Sequence, residues 1–215
     1  MACVSAHVLD RPFAAAASPD EAGRSKAERR REDAILVERS LRGDDDAFRL
    51  LVERYQKQVY WIAYDVLLDA EEARDVAQET FLRVHGALGS FDVRRDFLNW
   101  LYRIARNLSI DVHRRRRRRA TPIEDLTEVP APPSDAAQAG ADLRQRVAAV
   151  LGDLPVDYRL TLTLREFHGL TPREIAQVTD CSYPTARWRL HRARGLFRKG
   201  WEERYGAPPA GEIPQ

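Results

Sequence analysis

The stretch that decides the fold runs from Thr171 to Lys199 and reads T-P-R-E-I-A-Q-V-T-D-C-S-Y-P-T-A-R-W-R-L-H-R-A-R-G-L-F-R-K. It opens with a hydroxyl residue, a proline and, three residues after the hydroxyl, an acid: Thr171, Pro172 and Glu174. A hydroxyl can cap a helix, a proline fits the first turn, and the acid can bond back to the cap. These residues predict a short helix that ends near Thr179.

A second helix is predicted directly after the first. Asp180 and Cys181 interrupt the periodic pattern and predict a tight turn. Ser182 is a suitable cap for the next helix, and Pro184 falls in its first turn, where the missing N–H costs nothing. The stretch therefore predicts a short helix, a turn and a longer helix.

The longer helix has two chemically different faces. Its apolar residues recur every three or four positions and predict a packing stripe: Tyr183, Ala186, Leu190, Ala193 and Phe197. The other side carries Arg187, Trp188, His191 and Arg192, and no acid occurs from 182 to 199. This pattern is typical of a helix-turn-helix, whose second helix enters the DNA major groove. A surface helix with a solvated basic face is the alternative.

Composition excludes several classes of protein. The 215 residues carry a net charge of only +2 although 32% are charged, so local patches matter more than the total. The cysteines, Cys3 and Cys181, lie far apart, which suits a reducing cytoplasm and predicts no zinc site. The histidines show no triad-like or metal-like spacing, so we expect no enzyme and no cofactor. We also expect neither a signal peptide nor membrane insertion.

The first half of the chain predicts four helices. Residues 1–32, with a basic run at 24–31, lack periodicity and are expected to be mostly disordered and helical only near the end, as a solvated tail or a regulatory arm. A short helix follows from Asp33 to Arg42, and a long amphipathic helix extends to Leu68. Asp69 caps a third helix that reaches Val84. On this third helix, one polar group lies off the apolar stripe: Asp75, Gln78 and Glu79, together with Leu82.

The fourth helix combines aromatic and basic side chains. Its buried stripe is predicted to contain Phe97, Leu101, Ile104, Leu108 and Val112. A second, exposed stripe contains Trp100, Arg103, Asn107 and Arg114, and the helix ends in six arginines, 114–119. Interleaved aromatic and basic groups suit single-stranded nucleic acid, because bases stack and phosphates pair. The alternative places Trp100 in the core and leaves the arginines in solvent.

A proline-containing segment then separates two helical domains. Residues 120–140 carry several prolines and acids and predict a flexible linker. Helices are predicted from Leu143 to Leu151 and from Val156 to His168, before the helix-turn-helix. Residues 205–215 form a proline-rich tail. The sequence therefore predicts an all-α protein of two small domains.

The motifs, taken in order, resemble the extracytoplasmic-function (ECF) sigma factors of the sigma-70 family. They are D-A-E-E-A-R-D-V-A-Q-E-T-F-L-R-V from Asp69, W-L-Y-R-I-A-R-N from Trp100, L-G-D-L-P-x-x-Y-R from Leu151, L-T-P-R-E-I-A from Leu170 and R-L-H-R-A-R from Arg189. The resemblance implies region 2 at 33–119, a linker at 120–140 and region 4, with the helix-turn-helix, at 141–204.

The resemblance also implies partners and site residues. The implied partners are the polymerase core through its beta and beta-prime subunits, promoter DNA as duplex and as single strand, and an anti-sigma factor. Core contacts are expected at Asp75, Gln78, Glu79 and Phe81. Contacts to the −10 element are expected at Phe91, Trp100, Arg103, Asn107 and Arg114, where Phe91 and Asn107 match the pocket for a flipped base. Contacts to the −35 element are expected at Arg165, Ser182, Thr185, Arg187, Trp188, His191 and Arg192.

This chain departs from the family pattern at several positions. Trp188 and Pro184 replace a small polar residue and a glycine, and Arg94 and Arg95 replace small polar residues in the loop at 86–96. These departures leave the promoter sequence unpredicted. Two other functions stay open: a free-standing helix-turn-helix regulator, which leaves the third and fourth helices unexplained, and an adaptor that uses its helices only for protein contacts.

Overall fold

The computed structural model describes residues 26–119 and 139–206, and this part of the chain contains helices and no strand. The helices are α1 (Lys26–Leu41), α2 (Asp45–Leu67), α3 (Ala70–Ala87), α4 (Phe97–Arg119), α5 (Ala139–Asp153), α6 (Val156–Glu166), α7 (Pro172–Thr179) and α8 (Tyr183–Tyr205). A single 3-10 turn, Leu88–Ser90, follows α3. The predicted all-α class is confirmed.

Helices α1 to α4 form the N-terminal bundle, in which α2 packs against each of the other three. The apolar stripe of α2 supplies the centre of this bundle through Leu51, Tyr55, Val59 and Ile62. The predicted cap of α3 is confirmed, because the Asp69 carboxylate accepts bonds from two backbone N–H groups at the helix start, 2.9 and 3.0 Å away.

Helices α5 to α8 form the C-terminal bundle, which contains the predicted helix-turn-helix. At the start of α7, Thr171 N donates to the Glu174 carboxylate at 2.8 Å and Glu174 N donates to the Thr171 hydroxyl at 3.4 Å. Asp180 then adopts a left-handed φ of 54°, which turns the chain toward α8. Thr185 N donates to Ser182 Oγ at 3.2 Å, so the predicted capping of both helices is confirmed.

Two helices begin earlier than the start given for their domain. Helix α1 begins at Lys26, within the predicted extension 1–32, and α5 begins at Ala139, inside the predicted linker. The basic run before Asp33 was interpreted as solvated, but in the structure two of its cations pair with acids of other elements. The rest of the predicted extension, linker and tail lies outside the described residues.

The two bundles pack against each other, which the sequence did not predict. Helix α6 lies against α2 and α7 lies against α4. One apolar cluster continues from the N-terminal bundle into the C-terminal bundle through Leu160, Leu164, Leu170, Ile175, Ala176, Val178 and Ala186. A second cluster, around Leu151, Leu162 and Leu190, belongs to the C-terminal bundle alone.

A buried arginine joins the two bundles at the end of α2. The Arg159 guanidinium donates to the backbone carbonyls of Asp65 and Val66 in the N-terminal bundle. It also donates to the carbonyls of Gly152 and Leu154, at 2.7 and 3.3 Å, in its own bundle. A buried cation is costly without partners, so these bonds explain how Arg159 is accommodated between the bundles.

Candidate polymerase and nucleic-acid interfaces

The outer side of α8 is a cationic surface because its arginines divide into two groups. Arg189 and Arg194 turn toward α6 and pair with Asp157 at 3.4 Å and Glu166 at 2.8 Å. Arg187, Arg192 and Arg198 are exposed and have no acidic partner within the described residues. Leu190 and Ala193 are buried on the opposite side, as predicted. The exposed group is therefore available to phosphates and base edges.

Two aromatic residues flank this cationic surface. Trp188 is 57% exposed, and its ring centroid lies 6.0 Å from that of Tyr158 on α6. Tyr183 is 41% exposed, so its predicted place on the packing stripe is wrong. The Tyr183 ring instead lies between the guanidinium groups of Arg173 and Arg187, at 5.7 and 5.8 Å. The position of Tyr183 on the first turn of α8 leaves it beyond the edge of the core.

Sequence reasoning did not assign a role in DNA binding to Arg173 or Tyr183. The four-residue spacing between Tyr183 and Arg187 was the available signal, because such pairs face each other on a helix. Arg173 comes from α7, so only the turn between the helices brings it to the same ring. The structure thus places a cation–aromatic–cation group at the start of α8.

Other predicted −35 residues make local bonds within the C-terminal bundle. Arg165 donates to the Leu170 carbonyl at 3.1 Å, which fastens the segment between α6 and α7. Ser182 Oγ lies 2.7 Å from Thr185 Oγ1 as well as capping α8. His191 is exposed beside Arg192. These residues surround one end of the cationic surface, and Arg165, Ser182 and Thr185 already have partners there.

Helix α3 presents an acidic surface on the N-terminal bundle. Asp75, Gln78 and Glu79 are exposed, and Glu79 pairs only with Arg83 of the same helix, at 2.8 Å, among the contacts of the described residues. Leu82 is 70% exposed beside them, the most exposed large apolar side chain in the described part of the chain. Phe81 differs, because it is only 8% exposed and packs into the bundle core. We therefore give Phe81 a supporting role beneath this surface.

Helix α4 carries the predicted aromatic–basic stripe, but its aromatic part is packed. Trp100 is half-buried, and its ring lies 4.7 Å from that of Phe91 and 5.9 Å from that of Phe97. Phe91 itself is buried. The prediction that Trp100 is exposed is wrong, because its ring packs against Phe91 and Phe97. Arg103, Asn107 and Arg114 are exposed as predicted, and Asn107 accepts a bond from Arg106 at 2.9 Å.

The C-terminal bundle covers one side of α4. Arg103 donates to Asp180 at 3.2 Å, Asn99 donates to Gln177 at 3.2 Å, and Tyr102 Oη lies 3.3 Å from His168 Nδ1. The sequence offered no signal for these contacts, since each joins positions more than sixty residues apart. The predicted −10 helix and the helix-turn-helix therefore touch.

Across 26–119 and 139–206, no cluster of three or more His, Cys, Asp or Glu side chains is arranged to hold a metal ion. The same residues include no helix that is both long enough and apolar enough to cross a membrane.

Comparison with known families identifies the two bundles. Residues 51–119 match the family model for Sigma-70 region 2, and residues 144–196 match that for Sigma-70 region 4. The chain belongs to the ECF group of sigma-70 factors. Such a factor does no covalent chemistry: it binds the RNA polymerase core and directs it to promoters. The resemblance inferred from the sequence motifs is confirmed.

Relatives and solved structures agree with the family. The chain is 40% identical over 180 residues to the RNA polymerase sigma-H factor of Pseudomonas aeruginosa, covering 78% of this chain and 93% of that protein. It is 37% identical over 174 residues to the ECF RNA polymerase sigma-E factor of Escherichia coli, covering 75% and 90%.

Among structures, CnrH in complex with the cytosolic domain of CnrY superposes with a TM-score of 0.63 at 26% identity, over 80% of this chain and 99% of that chain. The sigma factor RpoE of Bartonella quintana, in complex with the anti-sigma factor NepR, superposes with a TM-score of 0.59 at 22% identity, over 72% and 96%. The second likeness concerns the fold alone.

Proposed function

We propose that this ECF sigma factor divides its work among three surfaces: the acidic surface of α3 binds polymerase core, α4 with the preceding loop opens and holds the −10 element, and α8 reads the −35 element. The domain limits that go with this division are 33–119 for region 2, 120–140 for the linker and 141–204 for region 4. The observation that carries the proposal is the separation of an acidic surface on one bundle from a cationic surface on the other.

Core binding is assigned to Asp75, Gln78 and Glu79. They lie on one exposed side of α3, while Val76, Thr80 and Val84 hold the other side in the bundle core. Carboxylates around an exposed leucine, Leu82, offer both charge complementarity and apolar contact to a partner. The surface therefore suits a basic, partly apolar helix of the polymerase.

The −10 element is assigned to α4 and the loop before it. Melting requires that a base leave the stack, which costs a few kcal/mol, so stacking and hydrogen bonds must offset that cost. Phe91 and Trp100 supply aromatic rings, Asn107 supplies an amide, and Arg103 and Arg114 supply cations. The five remaining arginines of the run at the end of α4 extend the cationic character toward the linker.

The −35 element is assigned to α8. Arg187 and Arg192 project from its outer side, where an arginine can grip guanine O6 and N7. Arg198 lies further along and is better placed for phosphate. Arg165, Ser182, Thr185, Trp188 and His191 border this surface. CnrH was solved with the cytosolic domain of CnrY and RpoE with the anti-sigma factor NepR, so we extend the proposal to a protein partner of the anti-sigma class and to action in the cytoplasm.

The linker length is compatible with this division. Promoter elements two helical turns apart are separated by roughly 70 Å of duplex. A flexible chain of twenty residues averages only ~25 Å but can extend to ~70 Å. When the dimensions of the two bundles are added to the reach of the linker, regions 2 and 4 can contact both promoter elements after the regions separate from each other.

Run-off transcription with purified core polymerase and genomic DNA tests the proposal. We expect this chain alone to give specific transcripts from core, and none without it. A free-standing regulator would need a second sigma factor in the reaction, and an adaptor would give no transcript under either condition. Either of those results would contradict the proposed function.

A further inference from the structure

The first half of α1 contacts both bundles through two cations. Lys26 Nζ lies 2.6 Å from the Glu174 carboxylate of α7. One turn later, Arg30 reaches the same carboxylate at 3.2 Å and also pairs with Asp96, the residue before α4. A helix of the N-terminal bundle thus binds an acid of the helix-turn-helix and an acid of the −10 helix together.

The second half of α1 fixes the helix to its own bundle. Leu36 and Val37 are buried in the shared core. Asp33 accepts bonds from Tyr55 at 2.5 Å and Arg54 at 2.8 Å, both on α2. Because α1 is anchored here, Lys26 and Arg30 are held out toward α7 instead of moving freely with a tail.

Both acids already serve as helix caps. Asp96 accepts from Asn99 N at 3.1 Å at the start of α4, and Glu174 completes the capping box of α7. Although burial opposes ionisation, the bonds from Lys26 and Thr171 hold the pKa of the Glu174 carboxyl below its usual value. The cations of α1 therefore join the N-terminal ends of α4 and α7 through the Asp96 and Glu174 carboxylates.

The arrangement held by these pairs covers part of α4. Helix α7 packs on α4, and Asp180 engages the guanidinium of Arg103. Gln177 engages Asn99 on the same side. A DNA strand that follows this side of α4 has to displace α7, so the arrangement cannot persist while α4 is occupied.

We propose that α1 is an intramolecular docking arm for region 4: Lys26 and Arg30 form an ionic clasp with Asp96 and Glu174 that keeps region 4 on region 2 until the promoter is engaged. The matched family models begin after α1, at residue 51, so they assign it no role. The proposal rests on the function proposed above, because the covered side of α4 is the one assigned to the −10 element.

The clasp is suited to a reversible role. Its cations are about half exposed, whereas Glu174 and Asp96 are largely buried. Ion pairs with solvent access contribute modestly and are screened by salt, so they bias an equilibrium without locking it. The apolar contacts between the bundles supply the remaining closing force.

The test measures the distance between the two regions in the full-length chain. A donor and an acceptor dye are attached to cysteines at the exposed positions Gln56 and Lys199, with Cys3 and Cys181 replaced by serine. The variant Lys26→Glu with Arg30→Glu is compared with Arg31→Glu with Lys57→Glu, which changes the charge equally at exposed residues outside the clasp. Neither variant replaces Asp96 or Glu174, so both carboxylates that cap α4 and α7 are retained.

We expect the clasp variant to raise the ratio of open to closed molecules about fivefold or more at low salt, whereas the control variant matches the parent. Added salt should open the parent and the control but change the clasp variant little. A milder variant, Lys26→Gln with Arg30→Gln, should give a smaller shift in the same direction, which separates loss of the clasp from unfolding of α1. Equal distances in the clasp variant, the control and the parent would overturn the proposal.

The experiment also distinguishes failure of the clasp from failure of the proposed function. The distance is measured without polymerase, so it reports on the clasp even if run-off transcription fails. Conversely, normal transcription with an unchanged distance would remove the clasp and leave the sigma activity intact.

Discussion

The two helices assigned to promoter DNA are presented differently. On α8, Trp188, Arg187 and Arg192 are exposed. Arg189 and Arg194 of the same helix pair instead with acids on α6. On α4, Trp100 packs against Phe91, and Arg103 donates to Asp180. The surface proposed to read the −35 element is therefore already exposed in this structure, whereas the surface proposed for the −10 element is partly covered by region 4.

The contrast follows from the side chains. Long cations keep their charged ends in water while their stems cover the helix, so the face of α8 stays open. Packing against one another and against the core stabilises the aromatic rings on α4, by about 25 cal/mol per Å² of apolar surface removed from water. Exposing those rings to bases therefore requires a partner that offers equal stacking.

The largest expected effect is on binding to polymerase core, because α4 and α8 reach promoter DNA only as part of the complex with core. The variant Asp75→Arg with Glu79→Arg reverses the charge of the α3 surface while sparing its buried side. Because like charges at an interface cost several kcal/mol, we expect core affinity to fall at least about 100-fold. Co-purification with core measures the loss, and circular dichroism checks that the helices remain. Unchanged co-purification would refute the assignment of α3.

A pair of tryptophan substitutions tests the contrast between α4 and α8 directly. Trp100→Ala removes contacts with Phe91 and Phe97, and since the ring is half-buried we expect a loss of about 2 kcal/mol in unfolding free energy, less than for a fully buried aromatic. Trp188→Ala should change it by less than about 0.5 kcal/mol, as for other exposed positions. Urea unfolding of both variants gives the comparison, and equal losses would show that the two surfaces do not differ in packing.

We expect the arginines of α8 to divide into those that read bases and those that bind phosphate. Arg187→Ala or Arg192→Ala should cost about 1–3 kcal/mol at one base position and relax preference there. Arg198→Ala should weaken all sequences alike and lower the salt slope by about one. Transcription from a library of −35 sequences, with salt as a second variable, measures both. Identical base preferences for the parent, Arg187→Ala and Arg192→Ala would mean that this face does not read sequence.

The smallest expected effect belongs to Tyr183. Its ring lies between Arg173 and Arg187, and a cation–π contact at an exposed site is worth about 0.5–1 kcal/mol. Tyr183→Leu should therefore weaken discrimination at the base read by Arg187 by up to about fivefold, and Tyr183→Phe should keep it. The same promoter library measures this, and a loss with phenylalanine as large as with leucine would exclude the stacking role.

Local chemistry was predictable from the sequence, and long-range contacts were not. The caps at Asp69, Thr171 and Ser182 depend on residues within three positions, and all are present. The apolar periodicity of α8 likewise placed Ala186, Leu190 and Ala193 on its buried side. Tyr183 was misplaced because periodicity describes which side of a helix a residue occupies but not where the opposing surface ends.

The covering of α4 depends on pairs that no local pattern contains. Such pairs, which join distant segments, are Arg103 with Asp180, Lys26 with Glu174 and Arg159 with the carbonyls of Asp65 and Val66. Taken alone, each of these residues predicts only a solvated surface position or a place in the core of one domain. The sequence therefore predicted the two regions and their motifs, while their mutual packing became visible only in three dimensions.

The central claim is that the regions are packed together in the free protein and apart on the promoter. The dye pair at positions 56 and 199 measures this most directly, in the free chain and then in the complex with core polymerase and promoter DNA. We expect the distance to increase by tens of Å, because the two promoter elements lie roughly 70 Å apart along the duplex. The same distance in both states, in a complex that produces transcript, would contradict the account.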